Sequence, residues 1–178
     1  PISFVSDNRL IKRYLSRAVK VAKSENSESK LVTNLIQKSL NQDERIQQNL
    51  ILIVERLIYE NHVEGAKIFA RSSIAAISSF PKYTSWRAKN EALYLGLSFP
   101  REALDVEAYK QLMYLCKKLK YFNAYSNLVK CIEGDIESDQ LDRFNSEIGE
   151  DVNTRRSTVL EKITSKHTVS QSDDVSVA

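Results

Sequence analysis

Residues 109–132 read YKQLMYLCKKLKYFNAYSNLVKCI, and this stretch decides the fold. Tyr109, Leu112, Met113, Leu115, Cys116 and Leu119 recur at the spacing of a helix with one apolar face. Ala124, Leu128, Val129 and Ile132 do the same in the second half. The four residues between, Lys120-Tyr121-Phe122-Asn123, leave no room for a strand or a long connection, so the two helices fold back as an αα-hairpin. One hairpin cannot bury its own apolar face. It therefore reads as one unit of a stacked helical array.

Composition agrees. The chain has 178 residues, 42% of them hydrophobic and 28% charged, enough to bury a core and keep a polar surface. Four glycines and three prolines are too few for the many turns of a sandwich or barrel. No run of apolar residues is long enough to span a membrane, the richest, Leu50 to Tyr59, being broken by Glu55 and Arg56. The opening Pro1-Ile2-Ser3-Phe4 leads directly into charged residues, which is no signal-peptide pattern, although a chain opening without Met allows an excerpt of a larger protein. The two cysteines, Cys116 and Cys131, lie on apolar helix faces and read as reduced, buried thiols. These features predict an intracellular protein, cytoplasmic or nuclear.

Outward from the hairpin, the pattern predicts further helices. The first runs from a cap at Ser6 or Asp7 to about Lys23, with Arg9, Lys12, Arg13, Arg17 and Lys20 on its polar side. A shorter one follows Ser27, and a third, about Asp43 to Glu60, is apolar at nearly every turn and is expected deep in the core. Val63 to Ser79 forms a fourth, in which Ala66, Ala70, Ala75 and Ala76 permit close approach of a neighbour. Thr84 or Ser85 caps a fifth, broken by Gly96 to Pro100, and Pro100 opens a sixth that continues into the hairpin. Residues 1–134 thus form a helical domain, 135–164 an acidic segment with weak helices, and 165–178 a polar tail expected to be disordered. From Glu133 onward eleven acidic residues face five basic, net −6, so the +3 of the whole chain hides +9 on the helical body.

Three turns share a hydrophobe followed by Ala, leading to Ala66, Ala103 and Ala124, at irregular separations. In this the chain resembles the tetratricopeptide and HEAT-type arrays of helix pairs, in degenerate form, without the tetratricopeptide W-x2-L-G-x2-Y. The hairpin also resembles a single pentatricopeptide repeat through Tyr109, Leu112-Met113, Cys116-Lys117, Ala124 and Leu128. It departs from that family at the turn, where Leu119-Lys120 replaces Gly, and at Lys110, where Asn usually stands. That resemblance implies single-stranded RNA binding, one base per repeat.

No catalytic grammar is present. His62 and His167 are far apart, neither Cys has a partner at C-x2-C distance, and Gly65, Gly96, Gly134 and Gly149 are scattered. No metal, no cofactor and no enzyme activity are expected. Surfaces remain. Trp86 is either a core anchor or an interface hot spot, and Trp86, Tyr94, Leu141, Phe144 and Ile148 are the candidate partner-binding residues. Lys110, Lys117, Lys118, Lys120 and Tyr121 form the basic-aromatic cluster that single-stranded RNA would use. The sequence therefore predicts an all-α protein of antiparallel hairpins stacked as a short irregular α-solenoid, a compact helical bundle being the alternative. Its expected role is a non-enzymatic interaction scaffold within a larger assembly, holding a partner peptide or helix in an interhelical groove. The alternative is a single-stranded RNA-binding module in RNA processing.

Overall fold

The structure, a computed structural model, describes residues 8–26 and 28–133. Among them are seven α-helices, one short 3-10 turn and no strand. They are α1 (Arg9–Lys23), α2 (Ser29–Gln42), α3 (Gln47–Tyr59), α4 (Val63–Ser78), α5 (Ser85–Ser98), the 3-10 turn Arg101–Ala103, α6 (Val106–Leu119) and α7 (Phe122–Glu133). The fold is all-α. The acidic segment, the polar tail, Leu141, Phe144, Ile148 and His167 lie outside the described residues.

Side-chain caps set several helix starts. Asn8 Oδ1 accepts hydrogen bonds from the Leu10 and Ile11 amides at 2.9 and 3.4 Å, so the first helix is capped at Asn8 and not at Ser6 or Asp7. Thr84 Oγ1 accepts from the Arg87 amide at 3.2 Å, as the sequence predicts for α5. Asp43 does not open α3. Its Oδ1 accepts from the Arg45 amide at 2.8 Å in an Asx turn, which competes with the helix and delays it to Gln47.

Two expectations around Gly96 and Pro100 are corrected. Gly96 does not break α5; it is buried inside it, and a Cβ added there would lie 2.4 Å from Leu112 Cδ2 and 3.2 Å from Ile74 Cδ1. The glycine is a contact point where α4, α5 and α6 converge. Pro100 does not open α6 either. It precedes the 3-10 turn, and α6 starts afresh behind Asp105, whose Oδ1 accepts from the Ala108 amide at 2.9 Å. Asp105 also pairs with Arg71 of α4, so one carboxylate both caps α6 and docks it.

The centre of the fold is α4, neither α3 nor the hairpin. α4 packs against α1, α2, α3, α5, α6 and the 3-10 turn, whereas α7 packs on α6. Its sequence explains this. Gly65, Ala66, Ala70, Ser72, Ser73 and Ala76 are all buried, and such small side chains let surrounding helices approach from several sides. Phe69, Ile74 and Ile77 fill the space that remains. The buried Ser73 hydroxyl donates back to the Phe69 carbonyl at 2.7 Å, so it needs no partner elsewhere. α3 buries Leu50, Ile53, Val54 and Leu57 completely, as expected, against α4, α5 and the 3-10 turn, while Tyr59 is 79% exposed and Ile51 and Ile58 are half-buried.

Neighbours in chain order stack, α1 on α2, α3 on α4, α4 on α5, α5 on α6 and α6 on α7, while α2 skips to α4. Two of the connecting turns share one geometry. Asn61 and Lys120 adopt left-handed φ of 63° and 62°. The next amide, of His62 or Tyr121, then donates to the carbonyl five residues back, of Leu57 or Cys116, at 2.8 Å in both cases. Ala103, grouped with these turns from the sequence, lies in the 3-10 turn and opens no helix.

Candidate functional site

The groove that best fits a binding role lies between α4, α5 and α6 and encloses about 460 Å³. Ile74 and Ala75 from α4 and Leu115 from α6 supply apolar lining. Lys89 of α5 with Lys110 and Gln111 of α6 supply polar groups. Gln111 is held by its Nε2, which donates to the Arg71 carbonyl at 3.2 Å. That leaves its buried Oε1 with no hydrogen-bond partner. Lys110 lies 3.5 Å from Glu107 and Lys89 donates to Ser85 Oγ at 2.5 Å, both on exposed helix surface.

Exposed large apolar side chains lie in this lining or one helical turn from it. Tyr114, 57% exposed, lines it directly. Val106 is 52% exposed and precedes Lys110 and Tyr114 at successive i, i+4 steps on the same α6 face. Trp86, 43% exposed, is three residues before Lys89 and therefore its neighbour on α5. Trp86 is thus at the surface and not a core anchor. Tyr94 is half-buried against the core and is not among the groove residues.

The predicted basic-aromatic cluster is partly rearranged. Lys110, Lys117, Lys118 and Lys120 are all exposed. Tyr121 is not available for stacking, because it is 4% exposed and its hydroxyl donates to Asn90 Oδ1 at 2.9 Å. The left-handed turn at Lys120 carries the chain around so that Tyr121 points inward. The exposed aromatics nearby are Tyr114 and Phe122, the latter 62% exposed, and Lys118 Nζ lies 5.5 Å from the Tyr114 ring. Tyr114 has a sequence signal that was missed: it falls outside the stripe formed by Leu112, Leu115, Cys116 and Leu119.

A second recess, about 390 Å³, lies where the end of α1 meets the turn before α4, beside Lys23, Glu25 and the exposed His62. Among the described residues no group of three or more His, Cys, Asp or Glu side chains is placed to hold a metal ion. No described helix is long and apolar enough to cross a membrane. Neither Cys116 nor Cys131 is in a disulfide, and burial pushes the Cys131 thiol above its ordinary pKa.

Fold and groove together define an all-α protein whose adjacent helices stack around a central small-residue helix. No family model, no curated protein and no solved structure matches the chain.

Proposed function

We propose that this chain is a non-enzymatic interaction scaffold, a helical-repeat-like module that holds a peptide or helix of a partner protein in the α4/α5/α6 groove. The observation that carries this reading is an interhelical groove lined by the exposed Tyr114, with exposed Trp86 and Val106 one helical turn from its Lys89 and Lys110. An apolar anchor on the partner would meet Ile74, Leu115 and Tyr114. A partner amide would satisfy Gln111 Oε1, and acidic side chains would face Lys89 and Lys110. Affinity then comes from the anchor and orientation from the charges.

The test places a photo-crosslinking amino acid at position 114 of the full chain in cells, with the more exposed position 59 as control. A polypeptide captured from 114 and not from 59, and lost on Lys110→Glu, supports the reading. Capture that is equal from both positions, or indifferent to Lys110→Glu, overturns it.

A second reading, single-stranded RNA binding, has its own observation. Tyr114 and Phe122 are exposed aromatics near Lys117, Lys118 and Lys120, the combination that stacks bases and meets phosphates. It expects Tyr114→Ala/Phe122→Ala to weaken a single-stranded RNA probe, with RNA processing as the setting.

A further inference from the structure

The α1/α2 layer carries charge that the groove does not use. Its two helices contain eight basic residues and no acidic one; the nearby Glu25 and Glu28 lie outside them, in the connecting turn. Arg9, Arg13, Arg17 and Lys20 are exposed and recur at i, i+4, i+8 and i+11, which places them along one side of α1. The rise of a helix spaces successive members of this row by about 5–6 Å over a total of about 16 Å. α2 adds the exposed Lys30 and Lys38, with exposed Asn34 between them. Packed helix axes run about 8–10 Å apart, so the second row lies close to the first.

Both helices bury their apolar sides, including Ile11, Leu15, Val32 and Ile36, and both pack on α4. The basic rows are on their other sides, facing solvent. Among the described residues no carboxylate forms an ion pair with any member of the two rows. Lys23, outside the rows at the helix end, lies 3.2 Å from Glu60.

We propose that this face binds the phosphate backbone of a nucleic-acid duplex without reading its sequence. A row of cations at fixed spacing on a rigid helix suits a polyanion whose charges are themselves in rows, and three of the four in the α1 row are Arg, which can grip a phosphate with two hydrogen bonds. A single strand is a poorer match here. Strand binding relies on aromatic platforms, and the aromatic of this layer, Tyr14, is half-buried against the core. A membrane surface is poorer too. An interfacial helix inserts its apolar face, and on α1 that face is consumed by the core, leaving Leu10, 40% exposed, at one end. The face shares no residue with the groove, so neither reading depends on the other.

The experiment titrates the full chain against a 24-base-pair duplex, as RNA and as DNA, by fluorescence anisotropy between 50 and 200 mM salt. One phosphate contact for each of the six cations in the two rows gives a slope of log K against log salt of about −5.4. Arg13→Ala/Arg17→Ala removes two contacts, lowers the slope by about 2 and weakens binding at 50 mM salt at least tenfold. Because both side chains are exposed, circular dichroism and melting temperature stay unchanged. Lys117→Ala/Lys118→Ala leaves duplex binding intact, and the single strand of the same sequence binds more weakly. A preference between the RNA and DNA duplex identifies the natural source, and either supports the assignment. No duplex binding at 50 mM salt overturns it, as does duplex binding indifferent to the α1 variant. Cosedimentation with phosphatidylserine vesicles in the absence of duplex binding overturns it in favour of a membrane.

Discussion

The hydroxyl of Tyr121 donates a 2.9 Å hydrogen bond to Oδ1 of Asn90, joining the turn before α7 to the buried side of α5. Both residues are nearly inaccessible, at 4% and 2% exposure. Tyr121→Phe keeps the ring and removes the donor, leaving a buried carbonyl without it, at a cost of about 1–3 kcal/mol. For a chain of this size each kcal/mol lowers the melting temperature by about 2–4 °C. Because Tyr121 faces inward, RNA affinity measured below the melt does not change. A melt unchanged with RNA binding lost reverses this assignment.

Gly96→Ala tests how tightly α5 and α6 are packed. Alanine is the better helix former by about 1 kcal/mol, but its methyl would overlap the fully buried Leu112. Overpacking of this kind costs about 1–3 kcal/mol, so the substitution destabilises. Leu112→Val, which shortens the side chain, costs less in the Gly96→Ala background than alone. Denaturant titration of the two single variants and the double variant measures that coupling.

Lys120 pays for a left-handed backbone that glycine adopts freely. Lys120→Gly therefore stabilises the protein by about 1 kcal/mol, and Lys120→Val, with a β-branched side chain at positive φ, destabilises it. Urea midpoints distinguish the two. A Lys120→Gly variant of lower stability would mean that the lysine side chain makes a contact outweighing the strain.

Glu60 at the end of α3 is held below the ordinary glutamate range, first by the hydrogen bond from Lys23 and then by that from Arg56, at 3.2 and 3.0 Å. A carboxylate with a lowered folded pKa contributes stability above its unfolded pKa of about 4.3 and loses it as pH falls through the folded value. The difference in urea midpoint between the native chain and Glu60→Gln is accordingly constant from pH 7 to about 5 and shrinks below about 4. It is also smaller at high salt, as expected of a surface pair. A difference unchanged at pH 3 assigns it to packing.

Helix content was legible because its signals are local. The stripe Leu112, Leu115, Cys116 and Leu119 is buried as its spacing predicts, and Ala66 and Ala70 do admit close neighbours. The misreadings come from residues whose environment depends on distant chain. Gly96 has the composition of a helix end, yet α4 and α6 press against it and only glycine leaves them room. Tyr121 and Phe122 are adjacent in sequence and take opposite environments, 4% and 62% exposed, because the left-handed residue before them redirects the chain. The apolar run of α3 does bury Leu50, Ile53, Val54 and Leu57, but an apolar stripe records that a face is covered and not by how many neighbours.

By itself the sequence determined that this chain is all-α, roughly where each helix runs, that one hairpin closes within residues 120–123, and that the basic excess lies on the helical body. Each follows from bonds and spacings within a few residues. Tertiary packing alone decided that α4 is the centre, that Tyr114 and not Tyr121 meets solvent, and that Ile74, Lys89 and Gln111 share one groove. Those three residues come from three helices, and what unites them is the mutual fit of side chains far apart in the chain, which no local periodicity encodes.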